Sequence, residues 1–556
     1  MAKKRRPVET RAHDTESQRE AAIAPAPGSN ATGTGDTGAT GDSAVAVQGP
    51  AGIAPRGLPG FWPLLQAALI AAVFLLNVYR AATQSVTHDE AYSYLAYAAE
   101  PWAHTFTSCI ANNHVLHSIL IKVACDLLGP SQLALRLPSL LAGLLFLINA
   151  MRLSRLLTPR SHVAATLSFL ALSVNPLVLD YLSMARGYSL ALAMLSSAML
   201  VAMGLISDST PRPRQFIFLG VFLALSVSAN LTLLFPSAAL FLVVALMFGL
   251  GGRRARTSRM RLWLDLIRYG AVSACLVAGS ILYLPVSHAS KGNFYQGCST
   301  LKDSINSLVT ASLDHHPDPF GSYTHTYPLM VYTAAGAVIL TAVGALGILA
   351  RAIRKRQPPD AAAGRFVFLQ LCTDLILLLL IAAHRLTGLP YPDGRTGLYL
   401  VFCSSLMGVS LMELPVRLSR GYWMRCCIGG LALLVAQFVS QLSISYYANW
   451  RYDASTKRAF EAIRVMSLAH PERKSRIGYS WEFGPALEFY RQVYGPQNIE
   501  RVEGMSPTSP TPLSGYDCYV LDARDSARAG AAGLVPVLYY DLSNTTVAVS
   551  PPQRPH

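Results

Sequence analysis

Long apolar stretches separated by short polar segments dominate residues 61–445. A helix needs about 20 residues to cross the hydrocarbon core. Runs near that length fall at 61–79, 134–151, 163–180, 188–206, 216–229, 231–250, 264–285, 327–350, 366–383, 398–414 and 426–445. Each predicts a spanning helix, although the two that meet at Asn230 also read as a re-entrant hairpin. Residues 1–60 break the pattern: KKRR is followed by Ala, Gly, Thr, Ser, Pro and Asp. So few large apolar side chains cannot offset chain entropy, which predicts a disordered tail. Its basic start adjoins no apolar stretch and does not read as a cleavable signal peptide. After residue 445 the pattern changes again. KRAFEAIRVMSLA and PALEFYRQVYG read as helices; SRIGYS, YDCYVLD, VPVLYYDL and TTVAVS read as short strands. The expected fold is an α-helical polytopic membrane protein of about 11 spans over 61–445, followed by a small α/β domain over 446–556. That domain has no Gly-rich phosphate loop.

Composition agrees: 52% of residues are hydrophobic and 14% charged, against about 25% charged in soluble domains. The formal charge of +15 does not mark a nucleic-acid binder. Its arginines sit in short clusters between apolar runs, without a stripe of stacking aromatics. With a cytoplasmic N-terminus, every second loop is basic. Those loops hold Arg152, Arg155 and Arg160; Arg212 and Arg214; Arg253, Arg254, Arg256, Arg259 and Arg261; Arg351, Arg354, Lys355 and Arg356; and Arg417, Arg420 and Arg425. Positive side chains resist translocation. An odd span count then puts 446–556 on the extracytoplasmic side of a multi-pass cell membrane. The nine cysteines show no CxxC pair or His/Cys metal pattern.

Candidate chemistry gathers on that outer side. SVTHDEAYSYLAYA follows the first run, and Thr87 and Glu90 have capping-box spacing. Asp89 either favours the helix dipole or accepts a proton from a nucleophile. In NNHVLHSILIKVACDLLG, Val115, Leu116, Ile119, Leu120, Val123, Ala124, Leu127 and Leu128 share one helical face; His114, His117, Ser118, Lys122 and Asp126 share the other. That predicts an interfacial amphipathic helix. Lys122 either meets an anionic head group or snorkels. Arg186 in DYLSMARGYSL, beside Tyr181 and Tyr188, either anchors a helix or grips phosphate through its planar fork. HRLTGLPYPDGRTGLYL adds Arg385, Asp393 and Arg395, and the 286–326 loop adds Lys291, His315 and His316. Asp374 lies inside an apolar run and should face the protein interior.

In this order the motifs resemble those of GT-C glycosyltransferases, in particular bacterial family 39-like enzymes related to dolichyl-phosphate-mannose–protein mannosyltransferases. The matching segments are HDEAYSY at 88–94, NNHVLHSIL at 112–120, ALRLPSLLAG at 134–143, ARGYSL at 185–190, GRTGLYL at 394–400 and NWRYDASTK at 449–457. The resemblance covers about 61–556. It implies transfer of a sugar, hexose or pentose, from a polyprenyl-phosphate donor to an envelope acceptor (lipid, glycan or protein) on the outer face, with inversion. It implies Asp89 as base and Glu90 as its orienting neighbour. His88, Asn113, His114, Lys122 and Tyr188 would line the substrate site, with Arg186 and Arg395 on the phosphate. Where the family often carries a carboxylate two residues before the motif Arg, this chain has Met184; Asp180, a turn back, is the candidate substitute. No cofactor is certain, and a divalent cation stays open. The rival readings are a transporter, a non-catalytic assembly protein and a ligase moving a whole glycan; no internal repeat of the transporter kind is visible.

The alternating arginine clusters predict that a fusion after Ser445 is active only with a reporter that works outside the cytoplasm. Activity of a cytoplasm-only reporter at that point would reverse the topology.

Overall fold

The computed structural model describes residues 60–556 apart from 108–112, 251–257, 289–295, 315–327, 356, 358, 415–418, 504–510 and 552–556. The predicted disordered tail, Asn112, Lys291, His315, His316, Arg253, Arg254, Arg256, Arg356 and Arg417 lie outside the described residues.

The apolar runs form helices where expected. They are α1 (Phe61–Thr83), then, after three short helices, α5 (Gln132–Leu157), α6 (His162–Ser173) with α7 (Pro176–Ser183), α8 (Tyr188–Ser207), α9 (Pro213–Ala229), α10 (Leu234–Leu250), α11 (Arg259–Asp265) running into α12 (Val272–Ser287), and, after the short α13 (Leu301–Leu313), α14 (Pro328–Lys355), α15 (Ala361–Thr387), α16 (Leu398–Ser410) and α17 (Arg420–Ser440). Among the described residues nine helices are long and apolar enough to cross a membrane, and the α6–α7 pair makes a tenth if counted as one span. The eleventh expected span, α9, has 17 residues, about 25 Å at 1.5 Å per residue, against a core of about 30 Å. Asn230 ends α9 and caps the turn leading into α10. α9 packs mainly on α8 and α12, whereas α10 packs mainly on α15.

The predicted span 163–180 is broken. Its halves meet at 66°. Pro176 lacks the N–H that would continue α6, and the Asn175 side chain accepts from the Val178 amide to start a new helix. The bend aims Asp180 of α7 at Arg80, near the end of α1, and the two form a buried ion pair. The helices differ in what solvates them. α5 and α8 are largely buried in the bundle, whereas α12, α14 and α17 have few buried residues. Leu340 on α14 is 74% exposed, which suits lipid as the solvent. Asp374 is half-buried on α15, and Gln370, one turn back, donates to it at 2.8 Å; a neutral amide is the partner the sequence did not name.

The short helices before α5 are α2 (His88–Ser93), α3 (Trp102–Thr107) and α4 (Val115–Leu128). α4 is the predicted amphipathic helix, with its polar side turned inward: His117, Ser118 and Lys122 are buried, while Val123, Leu127 and Leu128 are exposed. Lys122 therefore does not snorkel; its ammonium donates to the Ala98 carbonyl at 3.1 Å and lies over Trp102.

The C-terminal segment holds α18 (Thr456–Leu468), α19 (Gly484–Tyr494), α20 (Ala523–Ala529) and the four expected strands: β1 (Ile477–Tyr479), β2 (Cys518–Leu521), β3 (Val535–Tyr540) and β4 (Thr545–Val549). Their order is β1-β2-β4-β3, with β1 parallel to β2 and the other pairs antiparallel. The core under this sheet is not closed on itself. Phe460, Phe489 and Val520 share one apolar cluster with Ala91 and Tyr94 of the α2 segment, Ile121 of α4 and Leu135 of α5.

Removing one partner of a buried pair costs about 3–5 kcal/mol, because the other charge stays buried alone. Arg80→Met and Asp180→Asn should each lower the unfolding temperature sharply in detergent. The double variant should lose less than the sum. Strictly additive losses would mean the pair does not hold α1 to α7.

Candidate functional site

The loop after α1 turns into α2 through the predicted capping box. The Glu90 amide donates to Thr87 Oγ1 at 3.4 Å, and the Thr87 amide donates to Glu90 Oε2 at 2.9 Å. The box is only part of what Glu90 does. Arg136 of α5 grips it with both faces of its fork, Nε to Oε1 at 2.8 Å and Nη2 to Oε2 at 2.7 Å, and the Ala185 amide adds a bond at 2.6 Å. Both side chains are fully buried. Arg136 also donates to the Ala81, Gln84 and Ser85 carbonyls. Gln132 bonds the Ala81, Ala82 and Gln84 carbonyls. The orphan carbonyls at the end of α1 are thereby satisfied from α5. Glu90 thus holds three chain segments together, its own turn, α5 and the Ala185 loop, and is fully buried among them.

Asp89 points the other way. Its side chain is 14% exposed, Arg395 Nη1 lies 3.0 Å from Oδ2, and Arg186 Nη2 lies 3.7 Å from the same oxygen. Burial alone would raise this carboxyl. The Arg395 guanidinium, then Arg186, outweigh burial and hold it below the ordinary aspartate range. Arg186 is fixed by Ser93 Oγ at 3.0 Å. Arg395 sits over the Trp450 ring at 4.9 Å and donates to Gln296 at 3.1 Å. An aromatic wall runs from His114 to Tyr188 (5.1 Å), Tyr181 (4.6 Å) and Trp450 (6.2 Å). Gly187 permits this approach, since a Cβ there would lie 2.0 Å from the Ala229 carbonyl and 2.8 Å from the His114 Cβ.

The structure thus brings Asp89, Arg186 and Arg395 together, with Tyr188 and His114 beside them. His88 is adjacent through its backbone; its amide donates to Asp453 at 2.6 Å, and its ring bonds the Glu482 carbonyl at 2.7 Å. Asn113 accepts from Ser118 at the start of α4. Two candidates are engaged elsewhere. Asp180, the candidate substitute for the carboxylate missing at Met184, binds Arg80 and the Ala448 amide. Lys122 caps Ala98. Sequence reasoning passed over Arg136, Tyr447, Trp450 and Asp453. Arg136 had a signal, a charge inside an apolar run. Tyr447, whose ring covers both Arg80 and Arg136, had none. Asp453 is fully buried, and burial pushes its carboxyl well above the ordinary range despite the bonds from His88 and Thr456. Among the described residues no three His, Cys, Asp or Glu side chains gather as metal ligands.

His117 lies 2.8 Å from Ser139 Oγ. Burial, then Arg186, depress its ring to about 3 from an ordinary 6.5. Unfolded chains bind a proton there below about pH 6.5 while the folded protein does not. Stability from this group is complete above about pH 6.5 and falls by about 1.4 kcal/mol per pH unit as pH drops toward 3. His117→Asn should flatten the dependence of the unfolding temperature on pH between 4 and 6.5. An unchanged slope would assign the acid sensitivity to other groups.

No family model and no curated protein matches this chain. Its fold is similar to several solved structures. ArnT from Cupriavidus metallidurans in the apo state is 14% identical with a TM-score of 0.45, over 88% of this chain and 99% of that one. The same protein bound to undecaprenyl phosphate is 15% identical with a TM-score of 0.43, over 88% and 99%. The oligosaccharyltransferase AglB from Archaeoglobus fulgidus, in complex with an inhibitory peptide and a dolichol-phosphate, is 12% identical with a TM-score of 0.40, over 89% and 75%.

Proposed function

We propose that this chain is a membrane glycosyltransferase that moves a sugar from a polyprenyl-phosphate donor to a hydroxyl of an envelope acceptor. One observation carries the reading. A partly open carboxylate, Asp89, is flanked by two arginines at one end of a bundle of membrane helices. The motif resemblance assigns the same three residues.

The chemistry follows from their positions. A glycosyl phosphate at the membrane surface keeps its tail in lipid and its phosphate near Arg186 and Arg395, whose forks suit phosphate oxygens. Asp89 is ionised when the site is empty, but its ion pairs make it a poor proton acceptor. A phosphate drawing the two guanidiniums to itself relieves that restraint, so basicity rises when donor is bound. The acceptor O–H then attacks the anomeric carbon. Its proton goes to Asp89, the new C–O bond forms with inversion, and the old C–O bond breaks with its electron pair leaving on the polyprenyl phosphate. The arginines stabilise the charge that develops there. Glu90 takes no proton; it positions the turn. The N-terminus is cytoplasmic in this reading, and the site faces outward.

Three variants test the assignment in lipid-reconstituted protein. Asp89→Asn should keep its fold and lose about 100- to 10,000-fold in transfer rate. Arg186→Lys and Arg395→Lys keep charge but lose the fork, and should weaken donor binding. Glu90→Gln should instead unfold at lower temperature, since it leaves Arg136 half-paired. Near-normal turnover by a stable Asp89→Asn protein would remove the base; wild-type donor affinity in both Lys variants would remove the phosphate role.

A further inference from the structure

A second cluster of arginines lies far from Asp89. A cavity of 170 Å³ opens among Arg160, Arg365, Arg420, Asp360, Glu413 and Pro159. It sits at the opposite ends of helices that build the site. Arg136 is near the start of α5 and Arg160 is just past its end, about 35 Å apart at 1.5 Å per residue. Arg395 precedes α16, and Glu413 follows it.

The charges in this cavity are unevenly matched. Glu413, 2% exposed, is paired with Arg160, whose Nη1 lies 2.5 Å from Oε2. Asp360 accepts from the Ala363 amide at 2.7 Å and caps α15. Among the described residues no carboxylate lies within ion-pair distance of Arg365 or Arg420. Glu413 and Asp360 both act on Arg365 across the cavity, yet three guanidiniums face two carboxylates there, which leaves one positive charge over. The start of α17, capped by the neutral Ser419, adds a positive helix end that favours an anion. Arg365 is in the second turn of α15, a helix long and apolar enough to span.

We propose that this cavity binds a phosphate-type oxyanion, through Arg365 and Arg420, on the membrane face opposite the catalytic carboxylate. Arg160 keeps Glu413 neutralised and shapes the wall. A phosphodiester head group of an anionic lipid and a free phosphate share this chemistry. The inference does not depend on the proposed transfer reaction.

The test uses full-length protein in nanodiscs of phosphatidylcholine with phosphatidylglycerol, read by native mass spectrometry of retained lipid. Wild type should retain phosphatidylglycerol over phosphatidylcholine, and the double variant R365Q/R420Q should lower that preference about 30-fold. Arg351→Gln, a basic residue outside the cavity, should leave it unchanged. A photoreactive phosphatidylglycerol should label wild-type peptides bearing Arg365 or Arg420, a readout independent of whether the variant folds. Displacement of that label by excess inorganic phosphate would mean the cavity also takes free anions. Retention under excess phosphate would mean it reads the lipid head group. Equal retention of both lipids by wild type, an unchanged preference in R365Q/R420Q, or label confined to other peptides would each overturn the proposal.

Discussion

The buried pair of Glu90 and Arg136 is the constraint on which the Asp89 end of this protein depends. A lone charge at that depth would be ruinous, yet each member is matched at almost every donor and acceptor position. Arg136 joins the end of α1 to α5. Glu90 joins α2 to the Ala185 amide just before Arg186. The position of Arg186, and of the Asp89 turn it faces, follows from this one knot. A neutral or shorter residue at either place would release the α1 end, the α2 turn and the Arg186 loop at once.

Neighbouring carboxylates in one turn have taken opposite fates. Glu90 is spent on structure, and Asp89 is left at the edge of the cluster. Helix geometry produces this split, since successive positions are rotated by about 100°, so one side chain enters the core as the next leaves it. The C-terminal segment then finishes the surroundings of Asp89. Trp450 backs Arg395, Asp453 holds the His88 amide, and Tyr447 lies over the arginines of α1 and α5. Its apolar core continues into α2 and α4, so the C-terminal sheet packs behind the turn that carries Asp89.

Most of the architecture was legible in the sequence because its causes are local. Apolar run length specifies membrane helices, and short runs of β-branched and aromatic residues marked all four strands. The break at Asn175–Pro176 was also written locally, in a dipeptide that caps and cannot continue a helix, although run length alone hid it. The capping box of Thr87 and Glu90 was readable from spacing. Its second role was not, because Arg136 and Ala185 are distant in the chain. The same holds for Asp180, whose partner is a hundred positions away on α1, and for Lys122. The amphipathic pattern of α4 gave the right helix, but periodicity does not say which face meets protein. In a membrane setting the apolar face can be the outer one.

The shared core of the C-terminal sheet and α2 has a consequence for how the protein comes into being. Asp89 emerges early in synthesis, whereas Trp450, Asp453 and the Tyr490 hydroxyl that receives the Val86 amide are made near the end. The early loop meets Ile121 and Leu135 first, and its apolar cluster is completed only when the late segment folds against it. A truncated or half-inserted chain would therefore carry the acidic turn without its walls, and the assembled centre is a property of the finished polypeptide alone.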